Sequence, residues 1–591
     1  MLETQKLSCD LCVVGGGLAG LCAAIAAARN GSRVVLMHDR SVLGGNASSE
    51  IRMWICGAGA EHTETGIIEE IELENKYRNP TKNWYIWSSI LYDFVKREQN
   101  ITLLLDCPCL DAEVEAGNFD DGRTRRIVSV KGYQSTTQRF YEVRASYFAD
   151  CSGDSILAPL TDAEFMLGRE DKSAFGEPTH VEKTDTMTMG MSCLLQGRET
   201  DEKITFIPSE RATVLTDKDF ENREPNLYDP YENFWYLELG GNRDSIGDTE
   251  QLRDELISLA LGTWNYIKNG EAPTYDNFEL EFLGFIPGKR ESRRMTGEYI
   301  VTANDILSDR AFDDTVAYGG WTVDDHFPAG FYHKGVPNTH IVTPAPYRIP
   351  YRCLYSKNVE NLFFAGRNIS TTHMALSSTR VMKTCALLGQ AVGTAASIAA
   401  RFSLTPHGVY KEKLSLLQKT LMHDDCFLPG CTRTVSDLCK TASFTGDNSL
   451  RDGIDRINRI YPQKTCGAVL ENGKRTEYTL DTPQYVEEIH LVFDSNLDRR
   501  NHAGNECEQT HINRSNVLKS STQQYMPKEL CKAFRIEYTD ENGEKHVLFE
   551  DGCNILRCRN IPVRRKVKSL SLTVIENYGK TDKTAVYSFD F

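Results

Sequence analysis

The sequence lacks any unbroken run of about 18 apolar residues, the length a membrane-spanning helix needs. Its opening, MLETQKL, lacks the basic segment and long apolar core of a signal peptide. Both absences lead us to expect a soluble, cytoplasmic chain with no membrane partner. Basic charge is also short: 67 Lys and Arg face 83 Asp and Glu, for a formal net charge of −16. That sign argues against a nucleic-acid partner, because phosphate binding relies on a basic surface. The stretch 557–568 (RCRNIPVRRKVK) is a local exception that reads as a strand with one solvated face. Paired metal-binding cysteines are missing too. The 18 cysteines are scattered, and Cys12, Cys22 and Cys385 lie in apolar or helical patterns where free thiols are usual, which suits a reducing compartment. Cys107-Pro-Cys109 and Cys426-x4-Cys431 have no second pair to complete a zinc or iron–sulfur site. Within a strand, Cys9 and Cys12 point in awkward directions for one ion. No metal is expected.

What is present begins at residues 7–46, LSCDLCVVGGGLAGLCAAIAAARNGSRVVLMHDRSVLGGN. The apolar run Leu11–Val14 reads as a buried parallel strand, Leu21 to Asn30 as a helix stopped by Gly31, and Val34–Met37 as a second strand. Between the first strand and the helix stand Gly15, Gly17 and Gly20 at G-x-G-x-x-G spacing. Gly15 permits a tight turn, Gly17 lets backbone approach a pyrophosphate, and Gly20 lets helix and strand pack closely. Leu18 and Ala19 open the helix, whose N–H groups and dipole face an anion. An acid is expected at the end of the second strand to bind ribose hydroxyls. His38 stands there, with Asp39 and Arg40 next, so His38 and Asp39 are both candidates for the ribose.

The chain then alternates between cofactor-facing and other segments. Gly44, Gly45, Asn46, Ser49 and Arg52 lie in a small-residue loop that reads as a cofactor loop. Residues 84–98 carry helical spacing, while 101–105, 111–114 and 127–133 read as an antiparallel meander. A strand ending at Asp150 leads into Cys151-Ser152-Gly153-Asp154, a turn placed to meet the cofactor. From about 160 to 345 long polar loops alternate with short apolar strands, TMTMGMSC (186–193) among them. Here GKRESRR (288–294) gathers cations around one carboxylate, and WTVDDHFP (321–328) sets Asp325 beside His326. NLFFAGRN (361–368) then reads as a buried strand ending in Gly366 and Arg367. A helix from about 379 to 400 follows, with Gly389, Gly393 and Ala395 suited to close packing against the first unit.

Taken together, LGGNASSEIRMWICGAG, ADCSGDS, PGKRESRR, IPYRCL and AGRNISTTHMALSSTRVM resemble glutathione-reductase-type flavoproteins. More narrowly they resemble the bacterial FAD-dependent oxidoreductases related to the heterodisulfide reductase A flavoprotein, over about residues 8–402. The resemblance implies FAD rather than NAD. It places Gly15, Gly17, Gly20, Gly44, Gly45, Asn46, Asp154, Gly366 and Arg367 around that cofactor, and His373 with the start of the last helix, at Ser378 and Thr379, near the isoalloxazine. His38 departs from the usual acid. A ferredoxin-like cysteine series is missing, so iron–sulfur clusters are not carried over.

Beyond about 425, residues 479–495, 533–538, 545–550 and 567–575 alternate like the strands of a β-sandwich. The expected fold is therefore α/β: a Rossmann-like FAD-binding domain of glutathione-reductase type (1–160 and 346–424), an inserted α+β substrate domain (161–345), and a C-terminal β-sandwich (425–591). The sandwich reads as a structural or oligomer contact, with sugar binding as its rival, and homo-oligomerisation is left open. The expected activity is FAD-dependent oxidoreduction, taking a hydride from, or giving one to, a small organic substrate, carbohydrate-derived compounds being one candidate class. The proton acceptor is sought among His326, His333, His340 and His373, with Asp325 orienting His326 if the loop bends. Arg290, Arg293 or Arg352 would clamp the substrate. No second G-x-G-x-x-G appears, so a nicotinamide domain is not expected and the electron acceptor is unassigned. The rival reading is a flavin-containing carbohydrate-binding protein with a structural cofactor.

Overall fold

The first strand, Thr4–Val14 (β1), is longer than its apolar run because it pairs along its length with a second long strand, Arg139–Asp150. The computed structural model describes residues 2–58, 64–119, 122–179, 181–270, 275–344, 346–456, 464, 466–497 and 511–591. After β1 come helix Leu18–Arg29 (α1), strand Val34–Met37 (β2), helices Ile67–Arg78 (α2) and Trp84–Arg97 (α3), and strands Ile101–Leu104 (β3), Cys109–Ala116 (β4), Arg125–Gln134 (β5) and Arg139–Asp150 (β6). They form a sheet in the order β3-β2-β1-β6-β5-β4, with Leu362–Phe364 added beside the end of β6. β1, β2, β3, β6 and Leu362–Phe364 pair in parallel, whereas β4 and β5 are antiparallel. The expected meander is thus corrected at its first member. Ile101–Leu104 joins the parallel edge beside Val34–Met37, because a four-residue apolar strand after a helix fits a parallel crossover better than a hairpin.

Helix α1 is buried from Leu18 through Ala28 and lies against helix Met382–Phe402 with almost nothing between them. A Cβ added at Gly389 would sit 2.0 Å from the Ala19 carbonyl, and one at Gly393 would sit 2.1 Å from that of Ala23. The helix expected from 379 to 400 is in fact two. A short one, His373–Thr379, is capped by the Thr372 side chain, and the chain turns at Arg380 and Val381 before Met382–Phe402 begins. The second is long and apolar enough to cross a bilayer, yet 83% of that window is buried in the protein.

The insertion differs from its sequence reading in two places. It contains a 21-residue helix, Thr249–Asn269, where polar loops and short strands are expected. Leu252, Leu256, Leu259, Ala260, Trp264 and Ile267 face its core at helical spacing, a signal present in the sequence. Of TMTMGMSC only Met191–Ser192 is strand, flanked by Glu238–Leu239 and Gly288–Lys289. Strand Val323–His326 pairs antiparallel with Asn338–Ile341.

In the C-terminal region Arg475–Phe493 and Cys558–Asn577 form the spine of a fully antiparallel strand network, shifting register twice along their length. The apolar side chains beneath, including Tyr478, Leu491, Phe534 and Phe589, form a cluster apart from those of the parallel sheet and the insertion. Every described cysteine is a free thiol.

Candidate active site

A cavity of about 480 Å³ joins the N-terminus of α1 to the insertion. Its first end is nearly all backbone. Gly15 has a φ of +107°, and a Cβ on it would meet the Cys151 carbonyl at 2.3 Å. One on Gly20 would meet the Gly15 carbonyl at 1.8 Å, so both are packing glycines. Gly17 is different, since a Cβ there would meet nothing nearer than Gly45 Cα at 3.9 Å. Gly17 also caps α1 with no side-chain hydrogen bond, and no acid stands in the first turn, so the helix dipole opens onto the cavity beside Leu18 and Ala19. The Gly44 N–H donates to the Gly16 carbonyl at 2.8 Å and seats the Gly44-Gly45-Asn46 loop against this turn.

His38 is buried, with Nδ1 3.0 Å from both the Gly16 nitrogen and an Asp39 carboxylate oxygen, and Nε2 3.1 Å from the Val42 carbonyl. Its ring ties the glycine turn to the end of β2, and the exposed Asp39 carboxylate beside it is the acid at the position where a ribose contact is expected. Beside it Arg40 Nη1 is buried without a hydrogen-bond acceptor. Midway along the cavity Asp154 accepts from Lys289 Nζ at 2.8 Å, Ser292 Oγ at 2.8 Å and Arg367 Nη2 at 2.5 Å. Burial pushes this carboxyl up, but Arg367 and Lys289 outweigh it and hold it well below the usual carboxylate range.

The far end is built from side chains: Trp54, Trp235 and Trp321 beside Asp324, His326, Asn338, His340, Arg290 and Arg380. His326 Nδ1 lies 2.6 Å from Glu238 Oε2, and Nε2 lies 3.4 Å from Asp324 Oδ2. Burial pushes Glu238 up, yet Arg290 and His326 hold it down at about 2. Asp324 is likewise held well below its ordinary value against burial, chiefly by His326 and Arg380. With Glu238 ionised, the Nδ1–H has an acceptor and Nε2 is turned toward Asp324 and the cavity. Arg290 donates to Ser192 Oγ and to the Trp235 carbonyl, both at 2.9 Å. Arg380 Nη2 reaches Asp324 Oδ2 at 3.3 Å, while its Nε is buried without an acceptor.

Of the residues picked out in the sequence, Gly15, Gly17, Leu18, Ala19, His38, Asp39, Arg40, Gly44, Gly45, Asn46, Gly153, Asp154, Arg290, His326, His340, Gly366 and Arg367 line this cavity. Gly20, Ser49, Arg52, Asp150, Ser378 and Thr379 do not. Asp150 is buried and accepts from the Ser152 N–H and hydroxyl and from the Leu157 N–H, so it shapes the turn that presents Gly153 and Asp154. Arg52 stacks on Phe282 at 4.0 Å and donates to Gln196, binding the glycine loop to the insertion. The Ser49 N–H donates to Ser88 Oγ, and Ser378 bonds Tyr347 and the Trp321 carbonyl from behind the wall.

Three candidate catalytic residues need correcting. Asp325 does not orient His326. The segment is a regular strand, so Asp324 and His326 share one face and Asp325 takes the other. There it meets His373, whose Nε2 is 3.0 Å from Asp325 Oδ1 and whose Nδ1 is 2.9 Å from Glu291 Oε2. Burial would strip the His373 proton, but Glu291 and Asp325 outweigh it and raise the pKa to about 10. This imidazolium is no base at neutral pH, and it does not line the cavity. Arg352 is spent on Asp314, which it grips at 2.9 and 3.1 Å away from the cavity. Arg293 and His333 lie outside it as well, His333 stacked on Phe327 at 3.8 Å. Glu238, Arg380 and Trp54 were not picked out from sequence, and Lys289 was noted only as one of the cations of the 288–294 stretch. Arg380 had a signal, as the one permanent cation in the small-residue stretch 368–382, and so did Glu238, a lone acid in the apolar run 236–239.

These residues fit a dinucleotide: an open glycine before an uncapped helix, an acid beyond β2, and close by the Arg40 Nη1 that has no hydrogen-bond acceptor. The family described as FAD dependent oxidoreductase matches residues 10–421. No curated protein sequence matches the chain. Among solved structures it is similar to a geranylgeranyl bacteriochlorophyll reductase-like protein from Thermoplasma acidophilum, at 13% identity over 71% of this chain and 86% of that one, with a TM-score of 0.32. Similarity to p-nitrophenol 4-monooxygenase from Pseudomonas putida DLL-E4 stands at 10% identity over 69% and 84%, with a TM-score of 0.30. A family 32 carbohydrate-binding module from Streptococcus pneumoniae EndoD aligns with 26% of this chain and 97% of its own, at 14% identity and a TM-score of 0.18. The chain belongs to the FAD-dependent oxidoreductase family, and it is an oxidoreductase whose cofactor is FAD.

Proposed function

We propose that the enzyme oxidises a small polyhydroxylated, carbohydrate-derived substrate at the tryptophan-lined end of the cavity, with His326 moving the proton. One observation carries this reading: a buried imidazole stands between two ionised carboxylates, Glu238 and Asp324, on the wall of the cavity that the glycine turn opens. Bound FAD supplies the two-electron acceptor. Glu238 fixes the tautomer by receiving Nδ1–H, Nε2 takes the proton of a substrate hydroxyl as its carbon is oxidised, and Asp324 steadies the imidazolium that forms. The reverse reaction would use the same groups in the opposite order. Trp235 and Trp321 offer flat apolar surfaces to the C–H face of a sugar ring, while Asn338, His340 and Arg380 offer polar partners to its hydroxyls. The same reading takes the parallel strands as a glutathione-reductase-type unit and the C-terminal strands as a sandwich.

The test is the visible spectrum of the purified protein followed by anaerobic mixing with a panel of sugars, polyols and hydroxy acids. We expect the flavin to bleach with members of one class. Sugar binding without bleaching across the panel would replace this reading with that of a flavin-containing carbohydrate-binding protein. Bleaching by substrates without hydroxyl groups would strip His326 of its part in proton transfer.

A further inference from the structure

Within 16 residues the chain near 511–526 enters three separate apolar cores. Ile512 joins the core of the parallel sheet, Leu518 that of the insertion, and Met526 that of the C-terminal strands, each no more than 9% exposed. The segment has almost no regular structure of its own, so its backbone groups are satisfied by the elements it crosses. On the side of α2 and α3, Trp84 Nε1 donates to the Arg514 carbonyl at 2.6 Å, Lys82 Nζ donates to that of His511 at 2.9 Å, and Asn75 Nδ2 donates to that of Ile512 at 3.2 Å. On the insertion side, the Gly197 N–H donates to Asn516 Oδ1 at 2.8 Å, and Val517 adds as a parallel bridge beside Arg198. At the start of this segment the His511 ring stacks on Tyr231 with centroids 4.4 Å apart. It also meets the edge of Trp54, a cavity-lining ring, at 5.2 Å.

We infer that this strap is the means by which the C-terminal region shapes the substrate end of the cavity, and that His511 is a positioning residue that sets Trp54 through ring contact. Among the described residues Trp54 Nε1, which is buried, has no hydrogen-bond acceptor and His511 is the aromatic ring that meets the indole, so ring contact and packing orient it. Tyr231 backs His511 and is held in turn by Lys82, whose Nζ bonds the phenol oxygen at 3.1 Å. Residues beside α3, in the insertion and in the C-terminal region thus converge on one wall ring. The C-terminal region is an internal part of the catalytic unit rather than an appended module.

The experiment compares His511→Ala with His511→Phe, the second keeping a ring of similar reach. In full-length FAD-loaded protein, His511→Ala should exchange its amides at 51–58 and 229–236 about tenfold faster than wild type, with little change in β1 or α1. His511→Phe should restore most of that protection. With a bleaching substrate from the panel above, His511→Ala should raise the apparent KM about fivefold and leave the limiting rate within about twofold. This second arm rests on the proposed function, but the exchange arm does not, so a panel that finds no substrate leaves the strap testable. Unchanged exchange at 51–58 in His511→Ala would overturn the inference. So would failure of His511→Phe to rescue, or loss of FAD with no local change at Trp54.

Discussion

Among the described residues His326, His373 and His423 each stand between two carboxylates, and of the three only His326 lines the cavity. His326, between Glu238 and Asp324, lines the wall, whereas His373, between Glu291 and Asp325, is sealed behind it. The chemistry of the two clusters is alike; their surroundings are not. At His326 the carboxylates are shared with Arg290 and Arg380, which take up part of their charge. At His373 the imidazolium lies within 3.0 Å of both carboxylates, with Arg294 a more distant 3.7 Å from Glu291, and it keeps its proton to about 10. Two histidines with acidic neighbours on both sides thus differ in access: one is open to the cavity, and the other is a buried cation of the framework.

The largest expected effect separates them most sharply. His326→Gln should slow substrate-driven flavin bleaching by roughly 10²- to 10⁴-fold with FAD content unchanged, read by anaerobic stopped flow. A wild-type rate would erase the distinction. His373→Gln should do the opposite, costing roughly 1 to 3 kcal/mol of stability by removing the cation between Glu291 and Asp325 while Glu291 keeps Arg294, with the rate per bound flavin nearly kept. Urea unfolding followed by intrinsic fluorescence measures it. Glu238→Gln comes next, with a rate loss of roughly 10- to 100-fold as the tautomer is no longer held. A smaller effect appears in pH. Because the folded pKa of His373 is raised, its stabilisation is complete below about 6.5 and is lost as pH climbs through about 10. The wild-type unfolding midpoint should therefore fall across that window more than that of His373→Gln. Arg352→Lys should change the bleaching rate least, because Arg352 lies away from the cavity, even though lysine gives up the two-nitrogen grip on Asp314.

The glycine unit was legible because its chemistry is local: Gly15, Gly17 and Gly20 act within a few residues of one another, and spacing alone states their roles. Gly389 and Gly393 were legible for the same reason, as small residues on one helix face. The far end was not. Glu238 and His326 are 88 residues apart in sequence and meet across strands too short to announce themselves. Strand alternation did contain the correction to Asp325, since His326 shares its face with Asp324 two positions away. Helix Thr249–Asn269 was missed although its apolar residues recur at helical spacing, because the polar residues between them drew the reading toward loop. The imidazole that replaces the usual ribose acid could be noted from sequence, but its use as a tie between Gly16 and Val42 needed coordinates.

The contact between α1 and Met382–Phe402 sets a ruler inside the enzyme. Leu18 and Ala19 on one helix, and Met382 and Cys385 on the other, border the same cavity, and a single methyl group is already too thick to fit where the helices cross. With no slack at that crossing, the two helices cannot approach further, and the border of the cavity they share is set by backbone against backbone rather than by side chains that could repack.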